Sequence, residues 1–89
     1  DWFDKIIMTE ELLDKADIKA SEIIIPADSF DEYQAVTKYG WKIYFSLEID
    51  LKKQISGLKN FLAGKKFTQK QLSELQYTDL RIPDRIYYK

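Results

Sequence analysis

The sequence predicts an α+β fold: an antiparallel-rich sheet, two main helices, and a terminal β-hairpin on or near the sheet edge. Three observations carry this. Helical and strand patterns fall in separate blocks, in the order helix, three strands, helix, short helix, two strands, rather than as alternating βαβ units. Trp41, Ile43, Phe45 and Leu47 recur at period two, with Lys42, Tyr44, Ser46 and Glu48 between them. That is the alternation of a strand with one face in a core. At the end of the chain two β-prone runs flank Pro83-Asp84, a turn dipeptide whose proline presets φ.

Each element has its own reason. Residues 1–17 read as a helix with Phe3, Ile6, Ile7, Leu13 and Ala16 near one face. The alternative is a break at Thr9, which would cap a shorter helix beginning at Glu10 and Glu11. Ile23-Ile24-Ile25 in residues 18–25 is a continuous β-branched run ended by Pro26, and it suits a strand covered on both faces. Pro26-Ala27-Asp28-Ser29 is a loop, and residues 30–38, with Phe30, Tyr33 and Val36, form the second strand. Tyr39-Gly40 turns the chain, because glycine reaches the positive φ of a tight hairpin. Asp50 caps a helix whose Leu51, Ile55, Leu58 and Leu62 make one apolar stripe. Gly64 stands where its C-terminal cap is expected, beside Lys65 and Lys66. Thr68 opens a short helical turn through Leu72 and Leu75. In the terminal hairpin Tyr77, Asp79 and Arg81 point one way, and Thr78, Leu80 and Ile82 the other.

Composition narrows the function. The 89 residues suffice for one domain or a piece of one, and at 45% hydrophobic they are too apolar for a disordered chain. There is no cysteine and no histidine, which excludes disulfides and thiolate metal sites and removes the commonest general base. The net charge is −1 with acids and bases mixed, so the sequence offers no broad field for nucleic acid or a membrane surface. No apolar run approaches the roughly 20 residues of a membrane span. The chain begins at Asp1 rather than Met, and the expectation is a piece of a longer protein whose targeting or membrane segment lies upstream.

Gly40-Trp41-Lys42-Ile43-Tyr44-Phe45, then a Leu-rich helix, then Tyr77-Thr78-Asp79-Leu80-Arg81, then Arg85-Ile86-Tyr87-Tyr88-Lys89 form an ordered set. It resembles the C-terminal half of the β domain of the FtsQ/DivIB family of bacterial cell-division proteins. The likeness covers residues 10–89 in element order and the two motif blocks in residue type. Thr78 departs from it, standing where an apolar residue is expected, and Ile82-Pro83 replaces a Phe-Gly-type turn. The resemblance implies a non-enzymatic extracytoplasmic domain without cofactor or metal, in a protein held to the cell membrane by an upstream anchor. It implies partners resembling FtsB/DivIC and FtsL, bound at the last strands and the preceding helix by strand addition.

On that reading Arg85, Ile86, Tyr87, Tyr88 and Lys89 are the partner-binding residues. An open strand edge offers main-chain groups, the tyrosines supply anchors, and the two cations meet acids on the partner. The plain alternative is an ordinary strand with solvated tyrosines; a homodimer through an open edge is a further one. Asp79 and Arg81, two apart on one face, are expected to form a structural ion pair. Trp41 belongs to the core. Tyr33, Tyr39 and Tyr44 form either a surface patch or, preferably, a cross-strand packing cluster. Asp28, Asp31 and Glu32 gather carboxylates without the spacing of a calcium loop. Lys52, Lys53, Lys59, Lys65, Lys66 and Lys70 make the helical region locally basic, which suits a solvated face and leaves room for weak contact with anionic cell-wall or lipid groups.

Overall fold

Chain order becomes spatial order. In a computed structural model that describes residues 2–28, 31–83 and 85–89, five strands lie side by side in sequence. They are β1 (Ala20–Ile24), β2 (Glu32–Thr37), β3 (Lys42–Ser46), β4 (Tyr77–Ile82) and β5 (Arg85–Tyr88). All neighbours are antiparallel except β3 and β4, which run parallel. A parallel pair needs a crossover, and here it is made by α2 (Leu51–Lys65) and α3 (Gln69–Glu74), while α1 (Trp2–Lys15) precedes the sheet. The α+β class, the antiparallel-rich sheet and the terminal hairpin at the edge are as the sequence predicts. The loop residue Ser29, Phe30 at the expected start of the second strand, and Asp84 in the terminal turn lie outside the described residues.

The period-two alternation sorts the sheet into two faces. Tyr33 and Ala35 of β2, Ile43 and Phe45 of β3, and Leu80 of β4 are buried, and they pack with Leu13, Leu51, Ile55 and Leu58 of the helices. Trp41 is in this core at 2% exposure. Gly40, at φ +99°, makes the turn before it. Polar groups tie the layers. Thr9 donates to the carbonyl of Lys5 (2.7 Å) and sits 2.7 Å from the Tyr33 hydroxyl. Its single proton being spent, Tyr33 is the donor to Thr9. Gln54 of α2 accepts from the Ser46 N–H (3.0 Å) and donates to the carbonyls of Ser46 and Ile49 (2.8 Å each), so it pins the helix start to the end of β3.

Several local expectations change. α1 is one helix through Thr9, which is buried inside it rather than capping it. The apolar face read along this helix is only partly used: Leu13 is buried, whereas Phe3 and Ile7 stay exposed. The isoleucine run is not covered on both faces, because the core helices pack on one face of the sheet; β1 is also an edge strand. Ile23 lies beside Ala35 on the core side, Ile24 faces the other way, and Ile25 falls beyond the strand, exposed. Gly64 is inside α2, and the left-handed cap is Lys66 (φ 51°), whose N–H bonds the Leu62 carbonyl. Asp50 does cap α2, accepting from the Lys52 N–H at 2.9 Å. Thr68 caps α3 in a capping box with Gln71.

Candidate interaction surface

β5 is the last strand of the sheet and has β4 on one side only. The Lys89 N–H donates to the Tyr77 carbonyl (3.1 Å), and the Tyr77 N–H donates back to Lys89 (3.3 Å). Residues 77 and 89 are thus a hydrogen-bonded pair, and in an antiparallel ladder such pairs alternate with non-bonded ones. Thr78 and Tyr88 come next in register, so the Tyr88 N–H and C=O point away from β4, along the free edge.

The five terminal residues do not form one patch. Arg85 is exposed. Ile86 is half-buried against α2, and a Cβ built on Gly57 would lie 3.8 Å from its Cδ1. Tyr87, opposite Asp79, lies on the open face of the sheet. Tyr88 turns to the helix side, 4.9 Å from the Phe61 ring and 6.2 Å from Phe67, with the Lys65 ammonium 5.6 Å from its own ring. Both tyrosines remain near 45% exposed. Lys89 is fixed through its backbone. Missed by sequence reasoning is a groove of about 570 Å³ between α2 and the β4–β5 hairpin, with Lys53, Gly57, Leu80, Ile82, Arg85 and Ile86 among its walls. The i, i+4 spacing of Lys53 and Gly57 beside the apolar stripe was its only trace in the sequence.

The open face is held by an ionic clamp. Arg81 grips Asp79 with two parallel bonds, Nε to Oδ1 at 2.9 Å and Nη2 to Oδ2 at 2.7 Å, and its backbone N–H adds a third (3.0 Å). Its Nη1 reaches Glu32 of β2 at 3.0 Å, passing over the Tyr44 ring 5.0 Å away. The expected Asp79–Arg81 pair therefore extends to a strand two places off. Burial pushes the Asp79 carboxyl up, but the Arg81 hydrogen bonds and charge outweigh it and hold the carboxyl below its ordinary range. The bond to Asp79, chief among the causes, holds the Arg81 guanidinium protonated more firmly still.

Tyr33, Tyr39 and Tyr44 neither cluster nor share a patch. Tyr33 is buried and stacked on Phe45 (5.1 Å between centroids), Tyr39 is exposed in the turn, and Tyr44 packs on Tyr77 across the open face. Burial raises the Tyr33 hydroxyl pKa against the opposing bond to Thr9. Of the loop carboxylates, Glu32 is taken by Arg81. Among the described residues no group of three Asp or Glu side chains is placed to hold a metal ion.

The class these observations define is an α+β domain with a mixed five-stranded sheet, one face covered by helices and β5 on a free edge. No protein-family model matches the chain, and no curated protein sequence matches it. No helix among the described residues is long and apolar enough to cross a membrane.

Proposed function

We propose that this domain is a non-enzymatic interaction module of a bacterial cell-division scaffold of the FtsQ/DivIB type. It takes up a strand from a small coiled-coil division protein resembling FtsB/DivIC, with FtsL in the same assembly, at the free edge of β5. The protein is held at the extracytoplasmic face of the cell membrane by an anchor upstream of these residues. The observation that carries the reading is the outward Tyr88 N–H and C=O on a terminal strand, the main-chain geometry that strand addition uses. Tyr87 on the open face and Arg85 beside the α2 groove flank that edge and select the incoming side chains.

Titrating the 89-residue chain with a synthetic FtsB/DivIC-type strand peptide, followed by backbone amide shifts, tests this. Shifts concentrated in residues 80–89 are expected. Tyr88→Pro, which removes the outward N–H, abolishes them, whereas Tyr88→Ala only weakens binding. An unchanged spectrum over those residues at saturating peptide overturns the proposal. A second reading, self-association, is favoured by one observation: β1 is also a free edge. Concentration-dependent sedimentation of the chain without peptide separates the two.

A further inference from the structure

The two free edges of the sheet are complementary to each other. β1 and β2, β2 and β3, and β4 and β5 are antiparallel, and β3 and β4 parallel, so β1 and β5 run in opposite directions. A second copy set beside the first in the plane of the sheet, without being turned over, brings its β1 against β5 as an antiparallel neighbour. Both copies then keep their helices on the same face. Antiparallel pairing is the more stable kind per residue.

The main chain of β1 points outward in the middle of the strand. The Thr37 N–H donates to the Trp41 carbonyl (2.9 Å), so residues 37 and 41 are a bonded pair and Val36 turns its main-chain groups toward β1. Val36 stands opposite Glu22, and Ala35 opposite Ile23. The Ile23 N–H and C=O therefore face the free edge, as those of Tyr88 do on β5. Pairing Ile23 of one copy with Tyr88 of another sets a register in which both side chains lie on the helix side. On the open face Ile24 comes opposite Tyr87 and Glu22 opposite Lys89, in the non-bonded positions where side chains are closest. One step further Ile25, exposed in the single chain, comes opposite Ile86. Two of these are aromatic–β-branched pairs and one is an opposite-charge pair, both stabilising classes across strands. Glu22 and Lys89 have no ion-pair partner among the described residues.

We propose that the chain assembles head to tail, β1 of one copy adding to β5 of the next. Pairing like with like fits worse. Two β1 strands centred on Ile23 set each Glu22 against an isoleucine, and centred on Glu22 they set the two carboxylates together. Two β5 strands centred on Tyr88 leave Lys89 without an acid, and centred on Tyr87 they set Arg85 against Lys89. Only the mixed pair matches a cation to an acid. A contact between two different surfaces leaves an edge free at each end, so growth continues beyond a dimer. The inference rests on the self-association reading given above and names the edges that meet. A foreign strand at β5 competes with it for the same main-chain groups.

The test is sedimentation velocity of the 89-residue chain across a concentration series, with two edge-blocked variants. Tyr88→Pro removes the outward N–H of β5 and Ile23→Pro that of β1, and an edge strand tolerates proline where its N–H faces solvent. The wild-type chain is expected to form a series that grows with concentration. Each blocked variant alone stays monomeric, and their equal mixture forms a dimer and nothing larger. Glu22→Lys alone should weaken association roughly tenfold, and E22K with K89E in one chain should restore it. Both side chains are exposed, so the charge exchange decides the matter if circular dichroism finds Ile23→Pro unfolded. Association of Tyr88→Pro alone at wild-type strength assigns the contact to β1 with β1, and association of Ile23→Pro alone assigns it to β5 with β5. Either overturns the inference and leaves self-association standing, as does a failure of the charge exchange to rescue. A wild-type chain that stays monomeric removes this inference and self-association together and leaves strand addition by a foreign peptide untouched.

Discussion

The two edges of the sheet look alike and differ where it matters. β1 and β5 each pair on one side only, and each carries a break in register. Yet β1 is the edge with the β-branched isoleucines, with Ser21 bonding back to the Val36 carbonyl at 3.2 Å. β5 is the edge with two half-exposed tyrosines between cations, beside a groove. Hydrophobicity alone would mark β1, not the strand to which strand addition is proposed. What separates an edge that ends a sheet from one suited to recognition is the pairing of outward main-chain groups with aromatic and charged neighbours.

The largest expected effect tests whether the edges are separable at all. Leu58, fully buried, supports both through one core, so Leu58→Ala should cost about 3 kcal/mol in urea unfolding. It should also expose the β1 and β5 amides to exchange together. Loss of protection at β5 alone would show two independent units. Next comes the ionic clamp that ties β4, the support of β5, to β2. Asp79→Asn should cost about 1 kcal/mol. Because the Asp79 carboxyl is lowered in the folded state, the unfolded chain binds the proton first. The clamp's contribution is then full above the ordinary aspartate range, near pH 4, and is lost as pH falls through the lowered folded value. Thermal melts from neutral to acid pH should show this slope in the wild type and a flatter one in the variant.

Two substitutions should stabilise the β5 side. The Thr78 hydroxyl is buried with no hydrogen-bond partner among the described residues, opposite Tyr88. Thr78→Val should raise stability by about 1 kcal/mol, read as a higher urea midpoint. Smallest is Gly57→Ala. A Cβ there meets Ile86 at ordinary contact distance, so the gain in helix propensity, under about 1 kcal/mol, should come without displacing β5.

Much of the fold was legible because period-two and helical stripes report burial directly. Trp41 to Leu47 and Leu51 to Leu62 announced their core faces, and Asp50 and Thr68 announced helix starts. Other features were not local. Whether the isoleucine run sits inside or at the rim depends on how many strands precede it in space. Whether Arg81 reaches Glu32 depends on two strands being separated by one whose residues let the guanidinium lie across it. The groove beside β5 is likewise set by the crossover. Thr78 was visible as an anomaly in a run that otherwise resembles a known pattern, and the structure gives the anomaly its physical content, an unpartnered hydroxyl.

The parallel contact between β3 and β4 has a consequence for assembly. Joining those two strands means closing the long excursion of residues 47–76, whereas the β2–β3 hairpin closes through a few residues around Gly40. The entropy of closure places the hairpin early and the β3–β4 seam late. β5, whose one sheet neighbour is β4, acquires its seat in the sheet only after the seam closes. Under the proposed strand addition, a partner that reads β5 would thereby read completion, and a half-made domain would offer it nothing. Pulse-labelled hydrogen exchange during refolding should find the β2–β3 amides protected before those of β4 and β5; the reverse order would remove this built-in check.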